Sequence, residues 1–221
     1  MCEIYSQKNR LLFVDMLDNT FELIDTPKNM KYVIGIFLSG IEKGISSEQY
    51  NKRTDELRSA AYLLKAFNKN NYDRFNNTNM RDIPYDVYLK YKDKLPISYQ
   101  KRAEHFYSEN IRVEKEIEFY KKGDIESFGK LVTESGESSI CNWEKGSTEM
   151  KDLFNIIKSC KGVYGTRFSG SGFKGSCLAF IEPKYAEMVI YEVEEAYLNK
   201  YPELKGKYSA HICKTADGIK L

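Results

Sequence analysis

Residues 165–176 read Gly-Thr-Arg-Phe-Ser-Gly-Ser-Gly-Phe-Lys-Gly-Ser, with glycines at 165, 170, 172 and 175. Glycine reaches positive φ without a steric penalty and lets a backbone approach another group closely. Several amide N–H groups turned to one side make a concave nest that suits phosphate oxygens. The bland reading is a tight loop joining two strands, and composition alone gives both readings equal weight. Gly170 to Gly175 also satisfies G-x-G-x-x-G. A dinucleotide fingerprint follows a strand and opens directly into a helix. Here the apolar run Cys177–Ile181 comes next and a helix starts only at Pro183, so that reading fails on context.

Outward from the loop, Val163–Phe168 and Cys177–Ile181 read as strands. Pro183 fits a first helical turn, where its missing N–H costs nothing. Val189, Val193, Ala196 and Tyr197 give that helix an apolar face, and Tyr208–Cys213 forms a last strand closed by Asp217-Gly218. Upstream, Met150, Leu153, Phe154 and Ile157 fall at i, i+3, i+4 and i+7 of one helix. Gly123-Asp124 begins another, carrying Ile125, Phe128, Leu131 and Val132. Pro96 precedes a long helix with Ala103, Phe106, Val113, Ile117 and Tyr120 on one stripe. The Asn-rich stretch Asn68–Asp82 reads as a loop. Ser46-Ser-Glu-Gln49 matches a capping box, and Tyr50, Leu57, Ala61 and Leu64 then recur on one face. The first forty residues read as strands at Leu11–Val14, Phe21–Ile24 and Tyr32–Leu38. Strands flanking several helices predict an α+β domain with an antiparallel sheet.

Charge narrows the partners. The chain has 34 basic and 32 acidic residues among 221, a net charge of +2. A nucleic-acid binder needs a concentrated cationic excess to displace counterions, and none is present. Cys2, Cys141, Cys160, Cys177 and Cys213 show no Cys-x-x-Cys spacing, and only His105 and His211 are available beside them, so no metal site is expected. Reduced cysteines buried as small apolar groups fit better. No apolar run reaches membrane-span length and the start lacks a signal peptide's apolar core, so no membrane partner and a cytoplasmic location are expected. His105, among Lys101, Arg102 and Glu104, is expected to be solvated. Trp143 is expected to pack between helices, and Glu3, Asp15 and Asp18 to face solvent or cap turns.

The glycine segment resembles the third motif of the GHMP sugar and metabolite kinases in its galactokinase form, Gly-x-Arg-Met-Thr-Gly-x-Gly-Phe-Gly-Gly. Gly165, Arg167, Gly170, Gly172, Phe173 and Gly175 match position for position, and Lys174 stands where that family has Gly. Ser46–Arg53 is similar to the Ser-x-Tyr-x-x-Arg segment that opens a helix near the sugar. Phe13–Asp18, the run from Phe128 and His211–Lys220 resemble further segments in the same order, with Gly136 in place of His and Lys151 in place of Asp.

The resemblance implies a ferredoxin-like antiparallel sheet with added helices on one side. It implies remnant strands of an amino-terminal kinase domain over 1–28 and a GHMP kinase carboxy-terminal domain over 29–221. Tyr50 would offer its hydroxyl to galactose or a related sugar, and Arg53 would brace the local structure. Gly170, Ser171, Gly172 and Phe173 would lie near the nucleotide phosphates, with ATP and Mg2+ bound by the complete enzyme. The family's phosphate loop and catalytic Asp find no counterpart, so no catalytic residue is assigned and the chain is expected to be inactive alone. Its partner would be an amino-terminal kinase half, or a second copy of itself. A stand-alone sugar- or nucleotide-binding regulatory module is the alternative.

Overall fold

The computed structural model describes residues 2–42, 47–68 and 77–219. After one helical turn, α1 (Cys2–Tyr5), an antiparallel hairpin pairs β1 (Arg10–Asp15) with β2 (Thr20–Asp25). β3 (Val33–Leu38) enters the main sheet. Five helices follow: α2 (Ser47–Phe67), α3 (Tyr85–Tyr91), α4 (Ile97–Lys122), α5 (Ile125–Cys141) and α6 (Thr148–Ser159). The chain returns through β4 (Val163–Ser169), β5 (Ser176–Ile181), α7 (Ala186–Lys200) and β6 (Ser209–Cys213). The sheet order is β4-β5-β3-β6 and every neighbour is antiparallel. With α6 and α7 as its two crossover helices, this is the split βαβ pattern of the ferredoxin-like fold. The α2–α5 block is the added part.

Strand alternation divides the sheet into two faces. Phe37, Phe168, Cys177, Ala179 and Ile181 point to one side, where they pack on Met150, Leu153, Phe154 and Ile157 of α6 and on Val189, Val193 and Tyr197 of α7. All four α6 positions expected at i, i+3, i+4 and i+7 are buried there. The helices are not confined to that side, as had been expected. Phe180 points the other way, against Phe128 of α5 with ring centroids 5.1 Å apart. α5 sits so close to β4 that a Cβ on Gly165 would lie 1.9 Å from the Gly129 carbonyl oxygen. Only glycine at both positions permits that crossing.

The added helices form a second core. Ala60, Ala61 and Leu64 of α2 meet Val87 and Tyr88 of α3 and Ala103 and Tyr107 of α4. The hairpin rests on a third cluster, Ile24 and Met30 against Tyr120, Phe128 and Val132. Asp15 caps its turn as expected, accepting from Leu17 N at 2.9 Å, and also accepts from both Arg81 guanidinium nitrogens at 2.6 and 2.7 Å. That hydrogen bonding, more than any other cause, draws its carboxyl down to about 2. Cys177 is buried as expected, whereas Cys141 is exposed. Ser46, the cap of the expected capping box, and residues 69–76 of the expected Asn-rich loop lie outside the described residues. No helix among the described residues is long and apolar enough to cross a membrane.

Candidate functional site

The glycine-rich segment is the connection from β4 to β5 and leads straight into a strand. Gly170, Gly172 and Gly175 adopt φ of 87°, 78° and 104°, the left-handed region that L side chains rarely enter. At Gly172 a Cβ would meet the Phe168 ring at 2.6 Å, so the loop folds back on its own strand. At Gly170 a Cβ would meet nothing within 4 Å, so the backbone there is open to an incoming group. Two loop carbonyls are anchored: Gly172 O accepts from Ser147 N at 3.2 Å and Gly175 O from Ser39 N at 2.8 Å. None of the amide N–H groups from Gly170 to Lys174 donates to another described residue. Anchored carbonyls and unengaged N–H groups leave the loop with backbone donors to offer.

Arg53 joins α2 to this loop. Its Nε donates to Trp143 O at 2.8 Å and its Nη2 to Glu144 O at 2.9 Å. Its guanidinium lies 5.5 Å from the centre of the Phe173 ring. Tyr50, three residues earlier on the same side of the helix, is 49% exposed, so it is not the core residue its place in the apolar stripe suggested. The Arg53–Phe173 contact thus brings the first turns of α2, which carry Tyr50, to the glycine loop's end of the molecule. Ser171 lies half-buried in the same loop, its hydroxyl without a partner among the described residues. A cavity of about 260 Å³ opens beside them, lined by Lys52, Arg53, Glu56, Arg102, Glu144 and Phe173.

The cavity wall is a charge network, centred on buried Arg102, that the sequence did not reveal. Arg102, 2% exposed, donates to Glu56 at 2.8 Å, to Glu144 at 2.7 Å and to Asn142 O. The Arg102 hydrogen bond, with Lys101 second, holds the Glu144 carboxyl down to about 2. His105 is not solvated. It is half-buried, with Nδ1 2.9 Å from Ser138 Oγ and its ring 5.2 Å from that of Trp143. Burial first, then the surrounding cations, lowers its pKa to about 4. Trp143, expected to pack between helices, is half-buried in the loop after α5, its ring beside His105 of α4. Among the described residues no group of three His, Cys, Asp or Glu is placed to hold a metal ion.

Residues 115–199 match the family model described as GHMP kinases C terminal. The chain carries a GHMP kinase carboxy-terminal domain. A galacturonokinase of Arabidopsis thaliana is 35% identical over 217 residues, which cover 96% of this chain and 50% of the relative. A galactokinase of Thermotoga neapolitana is 26% identical, covering 97% of this chain and 56% of its own length. The crystal structure of Lactococcus lactis galactokinase complexed with galactose superposes with a TM-score of 0.80 at 21% identity, over 98% of this chain and 54% of that one. The chain thus spans about half the length of the curated relatives it matches.

Proposed function

We propose that this chain is the carboxy-terminal portion of an ATP-dependent sugar 1-kinase acting on galactose or a close relative such as its uronic acid. Residues 1–28 would belong with an amino-terminal kinase domain and residues 29–221 would form the carboxy-terminal one. The observation that carries the reading is the pairing of an open, donor-lined glycine loop with the Tyr50–Arg53 turn through the Arg53–Phe173 contact.

Phosphoryl transfer depends on positioning and on charge stabilisation around the transferred group, together with a base or orienting residue for the attacking hydroxyl. On this reading the Tyr50 hydroxyl orients the sugar, and Arg53 fixes the helix turn that presents it. The amides of Gly170, Ser171, Gly172 and Phe173 face the nucleotide phosphates. The open space at Gly170 fits such a neighbour, because a phosphate oxygen can reach the backbone there. ATP supplies the phosphoryl group. Mg2+ would accompany the ATP phosphates in the complete enzyme. The catalytic base and the phosphate loop would come from the amino-terminal half.

The test is a coupled ATP-consumption assay with galactose and with galacturonate. The chain alone is expected to show no turnover, and joining it to an amino-terminal half with the phosphate loop and the Asp is expected to restore it. Turnover by the isolated chain, or none after joining, would overturn the proposal.

A further inference from the structure

Two half-buried cations beside the glycine loop make no side-chain hydrogen bond or ion pair with a described residue. The Lys145 ammonium makes no hydrogen bond or ion pair with a described residue, and its one close partner is the Trp143 ring, 6.0 Å from nitrogen to centroid. Arg167, on the face of β4 opposite Phe168, likewise has no hydrogen-bonded or ion-paired partner among the described residues. A guanidinium carries five donors and stays charged in proteins, so leaving it half-buried and unpaired is unfavourable.

The nearby carboxylates are engaged elsewhere. Glu109 and Glu134 approach Arg112, Glu144 binds Arg102 and Lys101, and Glu104 accepts from Tyr88. Only Glu116 acts on Arg167 as an acid, and burial raises the pKa of Glu116 to about 6 although both Arg167 and Arg112 oppose the shift. The local field is accordingly positive. Lys145 is depressed by burial, then by Arg167 and Arg53, and after burial the causes lowering His105 are four cations, Lys145, Arg112, Arg167 and Arg102.

Both cations adjoin the loop. Lys145 sits between Glu144, whose carbonyl holds Arg53, and Ser147, whose N–H is tied to Gly172 O. Arg167 stands two residues before the end of β4, where the strand gives way to the loop. We infer that Lys145 and Arg167 form an oxyanion subsite that reads a carboxylate or phosphate group of the ligand held at this end of the molecule. In a sugar kinase the first source is the carboxylate of a hexuronic acid and the second a nucleotide phosphate. The choice between them rests on the kinase reading, whereas the existence of the subsite does not.

Trp143 is the chain's sole tryptophan and lies against Lys145, so its emission reports on the subsite. The full chain is titrated with galacturonate, inorganic tripolyphosphate and galactose at constant ionic strength. A saturable emission change is expected with at least one anion and none with galactose. A response to galacturonate alone identifies the sugar carboxylate as the source, and a response to tripolyphosphate alone identifies the phosphate. Lys145→Met is expected to raise the half-saturating anion concentration about tenfold, as does losing one charge-assisted hydrogen bond. Arg167→Met is expected to do the same where its far-UV spectrum stays native, and Lys145→Met, on an irregular segment, decides the question alone where it does not. Lys205→Met, an exposed cation elsewhere, should leave the response unchanged. No saturable response to either anion, an equal response to galactose, or an unchanged half-saturation in Lys145→Met would overturn the subsite. Because the readout needs no turnover, its failure is separate from a failure of the kinase assay.

Discussion

Replacing Gly129 with alanine sets two effects of opposite sign against each other. In an exposed helix interior the change stabilises by about 1 kcal/mol, since alanine loses less backbone entropy on folding. At this position a Cβ would lie 2.4 Å from both the carbonyl carbon and the oxygen of Tyr164. Those are backbone atoms of β4, so no side-chain rotation relieves the contact. Restoring an ordinary separation of 3.4 Å requires α5 to retreat by about 1 Å, which loosens the packing of Phe128 and Val132. Overpacking costs about 1–3 kcal/mol, and the upper end applies where the obstacle is backbone. The net expectation is a loss of about 2 kcal/mol. With a urea m-value of about 2 kcal/mol/M, the unfolding midpoint should fall by about 1 M at constant m. Gly170→Ala provides the contrast, because nothing lies within 4 Å of the added methyl and only left-handed strain of about 1–2 kcal/mol remains. A Gly129→Ala midpoint equal to or above the parent's would refute the close crossing of α5 and β4.

Two further expectations concern charge. Arg102→Met removes the partner of Glu56, which is 8% exposed, and should lower stability by about 3–5 kcal/mol. A loss under about 1 kcal/mol by urea unfolding would mean that the network is not buried as described. Glu116 has a folded pKa of about 6 against an ordinary value of 4.5, raised first by burial. Between those values the native state binds more protons than the unfolded state, so stability falls as pH rises through that window. Glu116→Gln should therefore gain up to about 2 kcal/mol at pH 8 and flatten the stability profile between pH 4.5 and 6. An unaltered profile would contradict the burial of that carboxyl.

The sheet and its two crossover helices were legible because their apolar periods are strong. Met150, Leu153, Phe154 and Ile157 announced α6, and Gly123 with Asp124 marked the break between α4 and α5, the glycine in the left-handed region and the aspartate accepting from Ser127 N. α3 went unread, although Val87, Tyr88 and Tyr91 behind Pro84 carry a short helical signal. Long-range pairing was the harder part. Nothing local distinguishes Arg102, which is buried against Glu56 from another helix, from the half-buried Lys101 beside it. His105 was misread for the same reason, since Ser138 and Trp143 reach it from more than thirty positions away. Tyr50 fell within the apolar stripe of α2 yet precedes the part of that helix which α4 covers. The glycine loop was legible as a loop, while its neighbour Arg53 came from the resemblance rather than from periodicity.

The sugar KM of Tyr50→Phe bears most directly on the claim that this end of the molecule holds a sugar beside a nucleotide. It is measured in the enzyme formed by joining the chain to an amino-terminal half that carries the phosphate loop. Loss of one hydroxyl hydrogen bond should raise the sugar KM about tenfold and leave the ATP KM where it was. A sugar KM equal to the parent's, or an equal rise for both substrates, would contradict the account.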